Sequence, residues 1–485
     1  MLSSKEKAKV SALRLEWNLL AKIVVAVCAI AILVQPAVAL GVEQDEGSTE
    51  FNEVQGLNEQ GVPFREANAG FRSAIEPTIW NKSNVSVLLG GEVDGGYIDR
   101  DGKKWDGSGQ VVIDIDGAFM TGNPVFFDRA GNSKFAGDAC FGTIDPTDGS
   151  DPNHWANLKN LCQTGSQFDL PYLYESAHIS VQPGSAAPSL DCLLPLEGGG
   201  SEPCHASHGA GTAGAIIGQA ATRSEGSHKD LGIMDEAVVS SVGAAPGAQV
   251  FGIKVGGGMG PERWGWSVPS LINALEWVDR MLGAGGGTRL NEHRLGGKVV
   301  AITMAISGSG TFSQETCGNS SLGKRINEVA GRLKKKGVAV VMSSGNEGLP
   351  VLRHLDCGEN IITVGATTTI VPHQRATYSN FHPSTVLYAP VGGKAKNGTC
   401  TALDGARDAI LLAYKDKGFQ YWCGTSFAAP QVAGAFAVLR QKFGDEPTVD
   451  ELTALLAKTG APLVGQDAPP AARDINVKAA LNGTP

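Results

Sequence analysis

The sequence lacks several features that would place the chain in a specialised class of protein. Its 40 lysine and arginine residues are outnumbered by 49 aspartate and glutamate residues, which gives a formal net charge of −9. A protein without an excess of positive charge is a poor ligand for nucleic acid, whose phosphates require a basic surface. The 64 glycines follow no three-residue period, so a collagen-like fibre is excluded.

The chain also lacks the spacing of common metal and redox motifs. No two cysteines stand in a C-x-x-C pair, which argues against a zinc or redox centre built on that motif. After residue 40 there is no internal repeat and no apolar run long enough for a transmembrane helix. With 42% apolar and 18% charged residues in 485, the chain is globular and has room for one large domain with appendages or two domains.

The N-terminus is predicted to be a signal peptide over residues 1–39. A basic stretch precedes the apolar run IVVAVCAIAILV at residues 23–34, and Ala37 and Ala39 fit an A-x-A cleavage site. Cleavage after Ala39 would leave a secreted or periplasmic protein with no stable membrane association; the alternative is an uncleaved membrane anchor. Residues 40–95 begin with an acidic, weakly apolar stretch and are predicted to be a linker or a short pro-segment.

The cysteine count agrees with export. Of nine cysteines, Cys28 lies in the predicted signal peptide, and an even number in the remaining exported chain favours disulfides over free buried thiols. Many pairings are compatible with eight cysteines, and we predict the sequential one. The predicted pairs are Cys140–Cys162, Cys192–Cys204, Cys317–Cys357 and Cys400–Cys423.

Strand-like and helix-like segments alternate from about Gly107 onward. Five segments are strand-like: QVVIDID, AQVFGIKV, KVVAITMAIS, VAVVMSSGN and IITVGATT. Two segments have helical spacing of apolar residues: SLINALEWVDRML and LGKRINEVAGRLKKKG. This alternation predicts an α/β fold with a mainly parallel central sheet and helices on both faces. Residues 127–203 are rich in Gly, Pro, Asp, Asn and Cys and are predicted to be a disulfide-containing insertion.

Three polar residues are predicted where a strand ends or a helix begins, which is where catalytic side chains of α/β proteins gather. Ser426 begins the helix-like segment of GTSFAAPQVAG, and His208 opens HGAGTAG, with His205 as a rival. Asp116 ends the strand QVVIDID, with Asp114 as a rival on the same strand face. Each has an ordinary alternative: a helix cap, a hydrogen-bonded histidine and a turn aspartate. For Asp114 the sequence offers no reason to place a carboxylate in a buried strand.

Together these segments resemble the subtilisin-like serine proteases, the subtilase family, over roughly residues 107–481. GTSFAAPQVAG matches the family pattern GTSxAxPxVAG, and SHGAGTAG resembles the histidine element with Gly211 in place of the usual second histidine. GSGQVVIDIDGAF resembles the aspartate element, although Asp116-Gly117-Ala118 departs from the common Asp-Ser/Thr-Gly. Further family segments are similar to VGAAPGAQVFGIKV, SSGNEG, ITVGAT and YSNF. The order of the three elements, Asp, His and Ser, is that of subtilisin.

The resemblance implies a subtilisin-like protease domain over residues 96–485 that hydrolyses protein or peptide substrates as an exported serine endopeptidase. Ser426 would be the nucleophile, His208 the general base and Asp116 its orienting carboxylate. Asn346, in SSGNEG, would stabilise the oxyanion.

The resemblance also implies the residues that would bind substrate. Ala305, Ile306 and Ser307 would pair with an extended substrate backbone, and Gly345 would line the pocket for the side chain before the cut. No cofactor is implied. Many relatives bind structural calcium, but this sequence offers no ligand set that can be assigned to it.

Two other functions are weighed against this one. A catalytically silent subtilase fold used for binding is the main alternative, motivated by the altered aspartate element and the long insertion. A lipase or esterase of the α/β-hydrolase kind is disfavoured, because that fold needs Ser before Asp before His, and no histidine follows His382.

Overall fold

An eleven-stranded sheet forms the centre of the fold, as the alternating segments predicted. The structure is a computed structural model. It describes residues 84–128, 130–143, 162, 166–167, 177–180, 186, 193–195, 201–203, 206–221, 239–258, 264–266, 268–283, 297–306, 311–312, 321–353, 355, 358–369, 373–393, 408–414, 418–465 and 469–485. The predicted signal peptide and most of the predicted linker lie outside these residues.

The strands of the central sheet are numbered in chain order. They are β1 (Gln110–Asp116), β2 (Phe135–Thr143), β3 (Ser166–Gln167), β4 (Ala177–Ser180), β5 (Gln249–Lys254), β6 (Lys298–Met304), β7 (Ala339–Ser343), β8 (Ile361–Thr367), β9 (Leu387–Pro390), β10 (Ala461–Pro462) and β11 (Arg473–Asp474). Their spatial order is β10-β11-β9-β8-β7-β6-β1-β5-β2-β4-β3. All pairs from β11 to β2 are parallel, and antiparallel pairs occur only at the two edges.

Short two-stranded pairs lie outside the central sheet. They are Tyr97–Ile98 with Lys104–Trp105, Leu193–Pro195 with Ser201–Pro203, Ala220–Ala221 with Val239–Ser240, Gly256–Gly258 with Trp264–Trp266, Thr311–Phe312 with Leu352–Arg353, and Ile410–Tyr414 with Gly418–Trp422. The last pair, which we call the Trp422 hairpin, packs against the helix that carries His208.

Seven helices are assigned among the described residues. They are α1 (Val85–Leu88), α2 (Ala206–Ile217), α3 (Val268–Met281), α4 (Ser321–Lys335), α5 (Ala429–Phe443), α6 (Val449–Thr459) and α7 (Val477–Leu481). Short 3₁₀ turns lie at Pro124–Phe126 and Thr425–Phe427.

Strand β1 shows how the two faces of the sheet are covered. Its alternate residues point to opposite sides because side chains in a strand have a period of two. Val111, Ile113 and Ile115 pack in the apolar cluster that contains α3 and α4. Val112 belongs to the cluster that contains α2 and α5, and Asp114 and Asp116 share its face. The predicted helices on both faces are therefore confirmed, and we call the two sides the α2/α5 face and the α3/α4 face.

Helix α4 confirms the apolar periodicity of its sequence. Ile326, Val329, Ala330 and Leu333 are all buried, as their helical spacing predicts. The lysine run at its end is engaged in ion pairs, since Lys336 bonds Asp279 of α3 and Lys334 bonds Asp450 of α6. Both ion pairs join the C-terminal end of α4 to neighbouring helices.

The segment 127–203 contributes to the sheet instead of lying apart from it. Strand β2 pairs in parallel with β5, and β4 continues the sheet antiparallel to β2. The predicted disulfide between Cys140 and Cys162 is present, and both residues are buried. Cys423 is also disulfide-bonded, with a partner outside the described residues. The other predicted pairs fall on undescribed residues and stay predictions.

Candidate active site

Three neighbouring strands end at the same edge of the sheet and bring the predicted site residues together. Strands β7, β6 and β1 are consecutive in the sheet and parallel. Asp116 is the last residue of β1, Ala305 directly follows β6, and Asn346 lies three residues after the end of β7. Because all three strands run the same way, residues far apart in sequence meet at this edge, where α/β proteins place their ligands.

His208 and Asp116 form a direct pair across this edge. His208 lies in the first turn of α2, and its Nδ1 is 2.9 Å from each carboxylate oxygen of Asp116. The pair is secluded, since His208 is 5% exposed and Asp116 is fully buried. Shielding from water strengthens such a charge-assisted contact and fixes the ring.

Small residues let α2 approach the loop that follows Asp116. A Cβ at Gly209 would lie 2.4 Å from the carbonyl oxygen of Ala118. A larger residue at this position would push α2 away from the sheet and carry His208 with it. The glycine that follows His208 is therefore part of what sets the distance between the imidazole and Asp116.

Gly211, which departs from the family's usual second histidine, lies against aromatic rings. A Cβ there would be 2.7 Å from Cε1 of Phe427 and 3.3 Å from Cε2 of Trp422. The ring centroid of His208 is 5.2 Å from that of Phe427 and 6.2 Å from that of Trp422. Here the Trp422 hairpin and Phe427 occupy the space into which a side chain at position 211 would extend.

Ser426 lies in the 3₁₀ turn Thr425–Phe427, just before α5. The sequence analysis predicted a helix from about Ser426, but α5 begins three residues later, at Ala429. Ser426 does not cap this helix, because no side-chain cap hydrogen bond is found at the start of either element. Its Oγ instead donates to the carbonyl oxygen of Ala305, at 3.1 Å, and the residue is 6% exposed. Phe427, the next residue, contacts the His208 ring.

The Asn346 side chain is oriented by the residue that precedes Ser426. Its Oδ1 accepts hydrogen bonds from the backbone N–H of Thr425, at 2.9 Å, and from the Thr425 hydroxyl, at 3.0 Å. The Thr425 hydroxyl also accepts from the backbone N–H of Gly345, at 3.1 Å. With Oδ1 engaged in this way, the Nδ2 amide group is directed elsewhere. Sequence reasoning did not single out Thr425, although it stands inside the GTS motif.

The predicted substrate-binding residues fall at the same strand ends. Ala305 and Ile306 follow β6 and are 3% and 2% exposed, and Gly345 is buried beside the Thr425 hydroxyl. Ser307 lies outside the described residues. The assignment of these residues to substrate stays a prediction.

Asp114, the rival carboxylate, is buried one pleat behind Asp116. Its Oδ2 accepts a 2.8 Å hydrogen bond from the Thr212 hydroxyl, one turn after His208 on α2. Burial, followed by the charge of Asp116, raises the pKa of Asp114 well above its ordinary value. The structure thus supplies the partner that the sequence did not reveal, because Thr212 is 98 residues away along the chain.

In the described part of the chain, no group of three or more His, Cys, Asp or Glu side chains is arranged to hold a metal ion. Within the same residues, no helix is long and apolar enough to cross a bilayer.

Curated relatives of this chain are bacterial and fungal proteases. The chain is 28% identical over 227 residues to "Extracellular protease" from Xanthomonas campestris pv. campestris, covering 46% of this chain and 33% of that protein. It is 27% identical over 204 residues to "Subtilisin Savinase" from Lederbergia lenta, covering 42% and 58% respectively. The chain therefore spans well under two thirds of the length of either relative.

Solved structures with a similar arrangement include two further proteases. One is a protease from Pseudoalteromonas arctica PAMC 21717, with a TM-score of 0.48, 18% identity, and coverage of 78% of this chain and 90% of that one. The other is a cold adapted subtilisin-like serine proteinase, with a TM-score of 0.45, 17% identity, and coverage of 81% and 96%.

The sequence profile described as "Subtilase family" matches residues 197–474, which is more than half of the chain. The matched range contains His208, Asn346 and Ser426 but begins after Asp116, whose place is set by β1 and its contact with His208. The profile match covers the histidine, asparagine and serine elements, and the ends of the parallel strands lie beside them. This chain therefore belongs to the subtilase family.

Proposed function

We propose that the chain is an exported serine endopeptidase that hydrolyses peptide bonds through Asp116, His208 and Ser426 and an acyl-enzyme intermediate. The observation that carries this proposal is the paired contact of His208 Nδ1 with both oxygens of buried Asp116. An imidazole held in this way donates its Nδ1 proton to the carboxylate and leaves Nε2 as a base. Ser426 is proposed as the nucleophile, because it lies on the turn whose next residue, Phe427, packs against that ring.

Acylation follows from these roles. Ser426 Oγ leaves its hydrogen bond with Ala305 and turns toward Nε2 of His208, which takes its proton as Oγ attacks the substrate carbonyl carbon. The bond from carbon to the leaving nitrogen then breaks, and the His208 imidazolium gives the proton to that amine. Asp116 stabilises the imidazolium while both groups are shielded from water.

Deacylation repeats the same steps with water as the nucleophile. His208 takes a proton from water, the water oxygen attacks the ester carbon, and the proton returns to Ser426 Oγ as the acid product leaves. Each proton and each bond is accounted for by these three side chains and one water, so the cycle requires no cofactor.

Asn346 is proposed to stabilise the negative charge that develops on the substrate carbonyl oxygen. Thr425 holds Oδ1 of Asn346 from two directions, which leaves the Nδ2 hydrogens as donors with a set orientation. A donor fixed before the reaction stabilises the oxyanion without reorganisation. The backbone N–H of Ser426 is proposed as the second donor.

The substrate is proposed to be an extended peptide segment of a protein. Ala305 and Ile306, at the end of β6, would present main-chain groups that add the segment as a strand, together with Ser307. Gly345, held by the Thr425 hydroxyl, would form part of the wall of the pocket for the residue before the cut.

Export is proposed from the predicted signal peptide, with support from the buried Cys140–Cys162 disulfide, which an oxidising compartment favours. A distant relative carries the name "Extracellular protease". N-terminal sequencing of the protein from the culture medium tests this directly. A mature N-terminus at Leu40 is expected if cleavage follows Ala39, and a start within 41–95 would reveal removal of a pro-segment.

Removing the Ser426 hydroxyl tests the catalytic proposal. We expect purified Ser426→Ala to lose peptide hydrolysis by about 10⁴-fold or more, the scale of loss for a missing triad member. It should also lose labelling by a fluorophosphonate, which reacts with activated serines. Ser321→Ala, at an exposed position of α4, is the matched control and should keep full activity and labelling.

The catalytically silent binding protein is the competing function and predicts a different result. In that case the unmodified chain neither hydrolyses peptides nor reacts with the fluorophosphonate, and Ser426→Ala changes nothing. Hydrolysis that survives Ser426→Ala undiminished would instead place the activity elsewhere in the chain.

A further inference from the structure

Strand β1 carries two carboxyl groups on one face, and the proposed mechanism uses only Asp116. Asp114 is fully buried on the same α2/α5 face. The strand period places it one pleat, two residues, behind Asp116. It therefore lies in the second layer of the site, beneath the contact between Asp116 and His208.

The Thr212 hydroxyl connects these two carboxyl groups. Its Oγ1 is 2.8 Å from Oδ2 of Asp114, 3.4 Å from Oδ2 of Asp116 and 3.1 Å from the Gly209 carbonyl oxygen. A hydroxyl has a single proton to donate. The shorter distance directs this proton to Asp114, so Thr212 does not compete with His208 for Oδ2 of Asp116. Oδ1 of Asp116 accepts from His208 and from the backbone N–H of Gly117.

The other oxygen of Asp114 indicates its protonation state. Within the described residues, Asp114 Oδ1 is buried and has no hydrogen-bond partner, and the same holds for Oγ1 of Thr303. Thr303, on β6, is the register partner of Asp114 and lies on the same face. With no donor to Oδ1, a charged carboxylate would be buried with one oxygen uncompensated, which favours the protonated, neutral form.

The groups that face Asp114 offer little positive charge. Strand β5 contributes Gly252 beside it, and β6 contributes the uncharged Thr303. Helix α2 contributes Thr212 and His208, and α5 contributes no charged side chain before Arg440 near its end. Lys254, buried on β5, is the register partner of Asp116 rather than of Asp114.

We propose that Asp114 is a positioning residue of the proposed triad: a neutral carboxylic acid that holds Thr212 and leaves Asp116 as the single charged carboxylate beneath His208. The expected effect of Asp114 on kcat rests on the proposed function. The physical content of the inference, a neutral acid next to the histidine pair, does not depend on turnover. Burial and the nearby charge of Asp116, which raise the pKa of Asp114, act in the same direction.

The titration of His208 tests the charge of Asp114 without any need for catalysis. Two proteins are compared by NMR of the His208 ring: Ser426→Ala, and Ser426→Ala combined with Asp114→Asn. We expect the midpoints of the two titrations to agree within about 0.3 pH unit, because a neutral amide replaces a neutral acid of nearly the same shape. A midpoint lower by about one unit or more in the asparagine variant would show that Asp114 is charged and would overturn the proposal.

Kinetics of a second set of variants test the positioning role. Asp114→Asn should keep kcat within about threefold. Asp114→Val should lower kcat about tenfold at nearly constant KM, because the Thr212 hydroxyl loses its acceptor and turns to Asp116. The double variant Asp114→Val/Thr212→Val should recover most of that loss, since the competing hydroxyl is gone. An unchanged kcat in Asp114→Val, or no recovery in the double variant, would refute the role of Thr212.

Controls separate this inference from general damage and from the proposed function. Ile113→Val changes the packing of the same strand on its opposite face and should leave the His208 titration and kcat unchanged. Melting temperatures of all variants show whether they fold. If the unmodified chain hydrolyses no peptide, the proposed function fails, while the NMR comparison still decides the charge of Asp114.

Discussion

The two faces of strand β1 differ in what they bury, although their residues alternate along one heptapeptide. On the α3/α4 face, Val111, Ile113 and Ile115 pack in a single apolar cluster. On the α2/α5 face, Val112 is followed by Asp114 and Asp116, whose oxygens bond to His208 and Thr212. The α3/α4 face thus contributes burial, and the α2/α5 face contributes polar chemistry.

The difference shows how a fold can carry buried charge at modest cost. A carboxylate buried without partners would destabilise the sheet strongly. Here the opposite face supplies the hydrophobic stabilisation, and helix α2 brings a partner to each carboxyl group. On the α3/α4 side, ion pairs such as Arg332 with Asp279 at 2.6 Å join one helix to the other instead of joining a helix to the sheet. Four predictions probe this separation, in order of decreasing expected effect.

Asp116→Asn should have the largest effect and should act on rate rather than on stability. The amide cannot hold His208 in the tautomer that leaves Nε2 as a base, so kcat should fall by about 10⁴-fold, as it does when a serine-protease triad loses this charge. Steady-state kinetics on a peptide substrate measure it, with the exposed Asp94→Asn as control. Full activity in Asp116→Asn would remove the carboxylate from the mechanism.

Asn346→Ala removes the proposed oxyanion donor and should lower kcat by about 10²- to 10³-fold, the loss that the same kind of change causes in subtilisin. KM should change little, because the missing interaction forms mainly in the transition state. Thr425→Val sharpens the comparison: it removes one of the two bonds that orient Asn346 and should cost roughly tenfold. A larger loss from Thr425→Val than from Asn346→Ala would contradict the proposed order of roles.

Ile113→Ala acts on the α3/α4 face of the same strand and should show the opposite pattern. Deleting a fully buried isoleucine side chain should lower the free energy of unfolding by about 3 kcal/mol. The kcat of the folded fraction should stay within about twofold. Urea unfolding in a Ser426→Ala background measures the free energy of unfolding without self-digestion. Ile113→Val is the graded control and should lower this free energy by about 1 kcal/mol. A fall in kcat of the folded fraction well beyond twofold would show that the two faces are not independent.

Asp279→Asn should have the smallest effect and a defined dependence on pH. Burial alone would raise the pKa of Asp279, but its hydrogen bonds and charge contacts with Lys336 and Arg332 hold it below the usual range. A lowered carboxyl pKa adds stability above the unfolded-state value, about 3.9, and that stability is lost as pH falls through the folded-state value. At pH 7 the variant should therefore be less stable by about 1 kcal/mol or less, because Arg332 is partly exposed and screened.

Urea unfolding at pH 7 and at pH 3 measures this dependence. The difference between Asp279→Asn and the unmodified protein should shrink at the lower pH, because the stability contributed by a lowered carboxyl pKa is lost progressively below the unfolded-state value. A difference that stays constant over this range would show that the effect is due to packing rather than charge. Ser321→Ala, on the same helix as Arg332, serves as the surface control.

Much of this architecture could be predicted from local patterns, and the exceptions have identifiable causes. The strands and helices of the parallel core were predicted because their apolar periods are strong and they are buried on regular faces. The start of α5 was predicted three residues too early, because the sequence does not distinguish a 3₁₀ turn from the first turn of an α-helix. Segment 127–203 was predicted as an insertion, and its composition did not reveal that β2 joins the central sheet.

The sequence by itself determined which residues are proposed to carry the chemistry, since the order and the spacing of the aspartate, histidine and serine elements are local properties of the chain. Only the tertiary structure decided what each of them touches. Ser426 donates to Ala305, 121 positions away, and Thr425 orients Asn346, 79 positions away. Thr212 bonds to Asp114, 98 positions away. Such contacts form only when the parallel strands align their carboxyl ends and small residues let α2 approach them, and no short stretch of sequence encodes that alignment.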